Sequence, residues 1–159
     1  MLVAFCLATL VGLIIAMTTM FTARTFEATG NYADLSRASR FALDTMTSDI
    51  RQARQLTSYS TNSLVFSDLT NGTFSYTWTP GNATLTRTYN GSSRALLTHC
   101  DSCVCHISQR NPSNNFSFYP ADTAANAKMI DVTWVCSRAL FGKKVNTEAI
   151  QTAKFTIRN

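Results

Sequence analysis

The chain contains 159 residues, of which 14% are charged and 45% are hydrophobic, and its formal net charge is +5. That length suffices for one domain with an extension. The positive charges are spread along the chain and form no basic stripe with interleaved aromatic residues, so the sequence argues against nucleic acid as a partner.

An apolar segment opens the sequence. Residues 2–23 are apolar apart from threonines, Gly12 and Cys6, and they contain no charged side chain. A helix of this length extends over about 33 Å, enough to cross the hydrocarbon core of a bilayer. A cleaved signal peptide fits less well, because the segment lacks a basic start and its apolar core is too long. We expect residues 1–24 to form the membrane-spanning half of a helix, and a plain single-span anchor stays open.

The next segment, residues 25–57, is amphipathic. Its apolar residues recur every three or four positions, which places them on one face of a helix. No proline occurs before Pro80, so one helix is expected to continue from the apolar half into this one. The residues expected to pack it against the rest of the chain are Leu35, Ala42, Met46, Ile50 and Ala53.

Beyond the helix the period of the pattern changes to two. Phe74, Tyr76 and Trp78 alternate with polar residues, which is typical of a strand with one buried face. Similar patterns predict strands at residues 63–67, 84–89, 96–107, 129–136 and 149–157, with polar loops at 109–127 and 137–147. The expected fold is α+β: a long N-terminal α-helix packed on an antiparallel β-sheet head domain, residues 58–159.

Four cysteines, Cys100, Cys103, Cys105 and Cys136, lie in the head domain. Zinc sites usually draw two spaced ligand pairs from turns, and a reactive C-x-x-C pair needs a helix N-terminus. Here three cysteines fall within one compact strand region. We therefore expect no metal and no cofactor, and we expect these cysteines to pack as small apolar groups.

A cross-link between strands is also expected. Cys136 alternates with the apolar residues before it, so it faces the core side of its strand. Cys103 and Cys105 stand two apart on one strand, with Cα atoms about 6.6 Å apart, near the outer limit for a disulfide. The favoured bond therefore joins Cys136 to the 100–105 segment through Cys100, and four reduced thiols are the alternative.

Catalytic patterns are missing from the sequence. The only imidazoles, His99 and His106, fall in the same strand region, and no nucleophile elbow or phosphate-binding glycine loop occurs. Asp44 and Asp49 stand five residues apart on the helix, so they do not face each other and are expected to be solvated or paired. We do not expect an enzyme.

Two motifs carry a family resemblance. The opening Met1-Leu2-Val3-Ala4 resembles the N-terminal helix of type IV pilins and type II secretion pseudopilins. Residues 39–44, SRFALD, and residues 49–53, DIRQA, resemble a helix signature of W-type minor pilins and J-type minor pseudopilins. In that family a basic leader, a cleavage glycine and a glutamate precede the first of these motifs. In this register the chain begins one residue after the glutamate, so Met1 is expected to be an internal start preceded by a Glu codon.

The resemblance implies a structural subunit of a type IV pilus or a type II secretion pseudopilus. Its partners would be other pilin or pseudopilin subunits and, before assembly, the inner membrane, with the head domain outside the cytoplasm. Residues 1–24 would also form the filament core. The residues expected to mediate assembly are Leu2, Val3, Leu7, Leu10, Val11, Leu13 and Ile14. The alternatives are a single-span membrane-anchored periplasmic or surface β-domain that binds a ligand or partner, and, third, an anchored enzyme.

Overall fold

The computed structural model describes residues 1–70, 72–110, 118–121, 123–140, 143–144 and 149–157. A single helix, α1, runs from Leu2 to Gln52 without interruption. Its 51 residues extend over about 75 Å at 1.5 Å per residue. The α+β architecture expected from the sequence is confirmed, since this one helix is followed by antiparallel sheets.

The helix ends earlier than its sequence pattern indicates. Ala53, expected on the last helical turn, has an extended backbone and opens strand β1, Ala53–Ser60. Two register shifts interrupt the pairing of β1 with the next strand, one after Ala53 and one after Leu56. Each extra residue lengthens the interval between buried side chains, so Ala53 and Leu56 are buried three positions apart. Buried residues three positions apart in this bulged strand match the spacing expected in a helix. This match explains why the sequence pattern placed the end of the helix too late.

The first sheet contains five strands in sequential order, each antiparallel to its neighbour. A short helical turn, Pro80–Asn82, connects the third strand to the fourth. The remaining strands of this sheet are β2 (Ser63–Asp68), β3 (Thr73–Thr79), β4 (Thr84–Tyr89) and β5 (Ser92–Leu97).

The second sheet contains four strands: β6 (Cys100–Arg110), β7 (Phe118–Pro120), β8 (Met129–Cys136) and β11 (Ala149–Thr156). Their order is β11-β8-β6-β7, and all pairs are antiparallel. A small hairpin, β9 (Ala139–Leu140) with β10 (Lys143–Lys144), lies between β8 and β11 in the chain. The described parts of the polar loops expected at 109–127 and 137–147 thus contain short strands and a turn at Ala124–Asn126. The rest of those two loops lies outside the described residues.

The strand expected at residues 96–107 is in fact two strands in different sheets. β5 ends at Leu97 and β6 begins at Cys100, and His99 between them has a φ of +61°. A left-handed backbone cannot continue a strand, so the chain leaves the first sheet and enters the second at this point. Apolar residues on both sides of the short polar step at Thr98 and His99 led the sequence pattern to predict a single strand.

The core lies between the second half of α1 and the two sheets. Its largest fully buried side chains include Trp134, Tyr76, Phe66 and Met46. The rings of Phe66 and Phe74 stack with centroids 4.9 Å apart, and Tyr76 meets both edge-on. The aromatic alternation in β3 therefore serves the core of the head domain.

Candidate functional site

The first half of α1 carries a large uncovered apolar surface. The expected assembly residues Leu2, Val3, Leu7, Leu10, Val11, Leu13 and Ile14 are each between 53% and 83% exposed. An 18-residue window of α1 reaches a mean hydropathy of 2.4, and none of that window is buried by the described residues. By length and composition this half can span a membrane. Such a surface needs a cover of lipid or of protein.

The threonine hydroxyls in this half form hydrogen bonds within the helix. The hydroxyls of Thr18, Thr19, Thr22 and Thr25 each donate a hydrogen bond to the carbonyl four residues earlier, at 2.8–3.0 Å. No hydroxyl in this group therefore needs a partner outside the helix. These polar residues remain compatible with an apolar surrounding.

The second half of α1 docks on the head domain through one face. Leu35, Ala42, Met46 and Ile50 are buried, and Ala53 is buried in β1 just beyond the helix. Ser39, on the same helical face, is fully buried and accepts a hydrogen bond from the Trp134 indole nitrogen at 3.3 Å. This face joins α1 to the sheets as part of one core.

Asp49 ties the helix to the first sheet. Its Oδ2 accepts hydrogen bonds from the Tyr76 hydroxyl and from Arg87 Nε, the latter at 2.5 Å. Its Oδ1 accepts a bond from Arg87 Nη2 at 3.0 Å, so the guanidinium is held at two points. Burial, together with the contact to Asp49, raises the pKa of Tyr76 well above its usual range, and the same carboxylate raises the pKa of Arg87. We call these three residues the Asp49 clamp.

A second polar contact lies at the opposite end of the docked helix. Arg138 Nη1 donates to Asn31 Oδ1 and to Asp34 Oδ2, both at 3.4 Å. Together with the Asp49 clamp it brackets the buried face of α1. The partners are up to 107 residues apart in sequence, and no local pattern indicated either contact.

The four head-domain cysteines lie on one buried face of the second sheet. Each is at most 4% exposed. Cys103 and Cys105 alternate normally along β6, but Cys100 joins them only because the pairing with β8 shifts between Cys100 and Ser102. Cys100 and Cys103 stand three positions apart, which would place them on opposite faces of a regular strand. The extra residue, Asp101, brings them to the same face, and Cys100 pairs directly with Cys136.

These four thiols form two contacting pairs. Cys100 contacts Cys136 across the strands, Cys103 contacts Cys105 along β6, and all five cysteines of the chain carry free thiols. The sulfur contact within each pair, together with burial, raises the pKa of Cys100 and of Cys103 above the usual thiol range. The expected cross-link between Cys100 and Cys136 has the required strand register, and it stays a prediction.

The cysteine cluster is also tied to the first sheet. Trp78 Nε1 donates to the Cys100 carbonyl at 3.0 Å, and the Tyr59 hydroxyl donates to the Cys105 carbonyl at 2.8 Å. Within the described ranges, no three or more His, Cys, Asp or Glu side chains are grouped to hold a metal ion. These contacts suit a packing role between the sheets.

The two histidines are not brought together. His99 is exposed at the break between the sheets, and His106 is exposed on β6, in register with Asp131 of β8. Neither imidazole points into the core with the thiols. Of the two carboxylates Asp44 and Asp49, Asp44 is exposed on α1, whereas Asp49 forms an ion pair with Arg87.

A scan against protein-family models found no match, and searches of curated proteins and of solved structures found none either. The α+β fold and the candidate membrane-spanning helix are therefore the features that the structure itself establishes.

Proposed function

We propose that the chain is a structural subunit, a minor pilin or pseudopilin, of a type IV pilus or type II secretion pseudopilus. One observation carries the proposal: a single helix is bare and apolar over its first half and docked on a β-sheet head over its second. The resemblance of residues 1–4, 39–44 and 49–53 to that family points the same way.

The division of α1 into an apolar half and a half docked on the head domain supplies a mechanism of assembly. Lipid covers the apolar half while the subunit waits in the inner membrane, and the corresponding helices of neighbouring subunits replace lipid in the filament. Threonine hydroxyls that bond within the helix suit both surroundings. The docked half keeps the head at a defined angle to the helix, because buried side chains and the Asp49 clamp hold it.

The proposal also gives a role to residues in both stretches of the helix signature. Asp49, the first residue of the DIRQA stretch, is the residue that pairs with Arg87 and Tyr76. Ala42, within the SRFALD stretch, is fully buried against the head. Both motifs therefore include residues that join helix and head, a task that any subunit with this design must perform.

Fractionation of producing cells tests the proposal. Antibody against the head domain should detect the chain in the inner membrane and in filaments sheared from the cells. Leu13→Asp, which places a charge in the middle of the apolar half at a cost of about 2.5–3.5 kcal/mol, should lose both locations. Leu13→Ile is the matched control and should behave as the parent.

A single-span anchored periplasmic or surface domain is the second candidate, because the same uncovered helix suits a permanent anchor. It predicts that the chain stays in the membrane and never enters filaments in cells that assemble them. That result would overturn the subunit proposal in favour of an anchored binding domain.

A further inference from the structure

A groove of about 800 Å³ runs between α1 and β11. On one side it is lined by Leu43, Asp44, Thr47, Ile50 and Arg51 of α1, and on the other by residues 152–156. Phe155 and Ile50 are buried, whereas Asp44 and Arg51 are exposed at its rim. The lining of the groove is therefore more polar than apolar, with the buried Phe155 and Ile50 at its base and the charged Asp44 and Arg51 at its rim.

Within the described residues, the β11 side of the groove is an unpaired edge of the second sheet. Among the described strands, β11 pairs only with β8, and its eight residues do so without a register shift. Five consecutive residues line the groove, including Phe155, which faces the core, and Lys154, which faces away. Because consecutive side chains of a strand point to opposite faces, a groove lined by five of them in a row lies along the main-chain edge of β11 and not over one of its faces. Unpaired N–H and C=O groups along a long, regular edge are a template for one more strand.

The two rim charges have opposite signs and lie at different ends of the groove. Asp44 and Arg51 are seven residues apart on α1, about 10 Å along the helix axis. Neither makes an ion pair within the part of the chain that the structure describes. Lys154 lies 4.0 Å from Asp131 on the other face of the sheet.

The direction of β11 relative to α1 limits what can bind. The C-terminal end of β8 reaches the start of the docked helix, since Trp134 contacts Ser39 and Arg138 contacts Asp34. β8 thus runs antiparallel to α1, and β11, antiparallel to β8, runs parallel to it. A twofold pairing of β11 with β11 of a second copy would point the two apolar half-helices in opposite directions. Two chains anchored in one membrane cannot adopt that arrangement.

We infer that the groove binds an extended segment of another polypeptide, paired along the edge of β11, with an acidic side chain near Arg51 and a basic one near Asp44. For a segment antiparallel to β11, the acidic residue comes first, and a spacing of four residues keeps both charges on one face. This surface is separate from the assembly face of the first half of α1.

Binding of short peptides to the full chain in detergent micelles tests the inference. The probe is a fluorescent peptide, Thr-Glu-Val-Thr-Val-Lys-Thr, capped at both ends and followed by anisotropy. It should bind saturably, about five- to tenfold more tightly than the peptide with Glu and Lys exchanged, because it forms two weak, exposed ion pairs where the exchanged peptide brings like charges together. The variant Asp44→Arg with Arg51→Asp should reverse that preference.

Two controls complete the experiment. A probe with the same side chains but methylated main-chain nitrogens should lose saturable binding, because it cannot pair with the edge of β11. Absence of saturable binding by every peptide would overturn the inference, as would binding that ignores both the exchange of charges and the double variant. A stable dimer that excludes the probe would overturn it as well, in favour of a second copy in the groove. Failure of filament assembly would leave this result unaffected, so the two proposals are tested separately.

Discussion

Removal of the charge on Asp49 should loosen the attachment of α1 to the head domain. Asp49→Asn keeps the shape of the side chain but replaces one acceptor oxygen by an NH₂ group that faces the donors of Arg87 and Tyr76. The guanidinium then keeps one neutral acceptor and loses its ion pair. Breaking a fully buried pair costs about 3–5 kcal/mol.

The clamp is not fully buried, so the cost is smaller. The side chains of Arg87 and Asp49 are 26% and 17% exposed, and water screens part of their interaction. A hydrogen bond to a charged group contributes about 1.5–3 kcal/mol. We therefore expect Asp49→Asn to lower the free energy of unfolding by about 2 kcal/mol, and the midpoint of thermal unfolding by about 10 °C for a head of this size.

Urea unfolding of the full chain in mild detergent, followed by the fluorescence of the two head-domain tryptophans, measures this effect. The midpoint should fall by about 1 M urea at an ordinary dependence on denaturant. Asp44→Asn is the matched control, because Asp44 is exposed on the same helix, and it should change stability by less than about 0.5 kcal/mol. Equal midpoints for the two variants would refute the structural role assigned to the clamp.

Three further predictions concern the same core. Met46→Asp should cost about 3 kcal/mol or more, because it buries an unpaired charge at a fully buried position; a midpoint equal to that of the parent would contradict the docking of α1. Peptide mapping under non-reducing conditions of the chain from an oxidising compartment should find Cys136 bonded to Cys100, a cross-link that adds about 3–4 kcal/mol, and a free Cys136 thiol would disprove it. Because the folded pKa of Tyr76 is raised, the contribution of Tyr76 to stability should be intact below its unfolded value of about 10 and fall as the pH rises above it. Tyr76→Phe should remove that alkaline loss from the stability profile, and an unchanged profile would count against the buried hydroxyl.

Much of the architecture could be predicted from the sequence because it depends on local periodicity. The unbroken helix followed from an apolar run, an amphipathic run and the lack of proline before Pro80. The strands around Trp78 and Trp134 followed from strict alternation, because each buries one face of its sheet. These features need only the spacing of residues close together in the chain.

Irregular strands were the places where local spacing misled. Two bulges in β1 gave Ala53 and Leu56 a helix-like interval, and the left-handed His99 divided what looked like one strand. The bulge at Asp101 set Cys100 on the same face as Cys103 despite their odd separation. A bulge changes the relation between position and face, and the sequence alone carries no marker of where the partner strand will demand it.

By itself, then, the sequence determined the α+β class, the uncovered apolar half of α1 and the identity of its buried face. Only the tertiary structure decided that Asp49 pairs with Arg87 and that Cys100 meets Cys136. It also decided that β11 lies beside α1 with β8 as its one partner among the described strands. The physical reason is the length of chain between the partners. Periodicity reports whether a side chain is buried, whereas the choice of its partner depends on how distant strands are ordered and registered in the sheets.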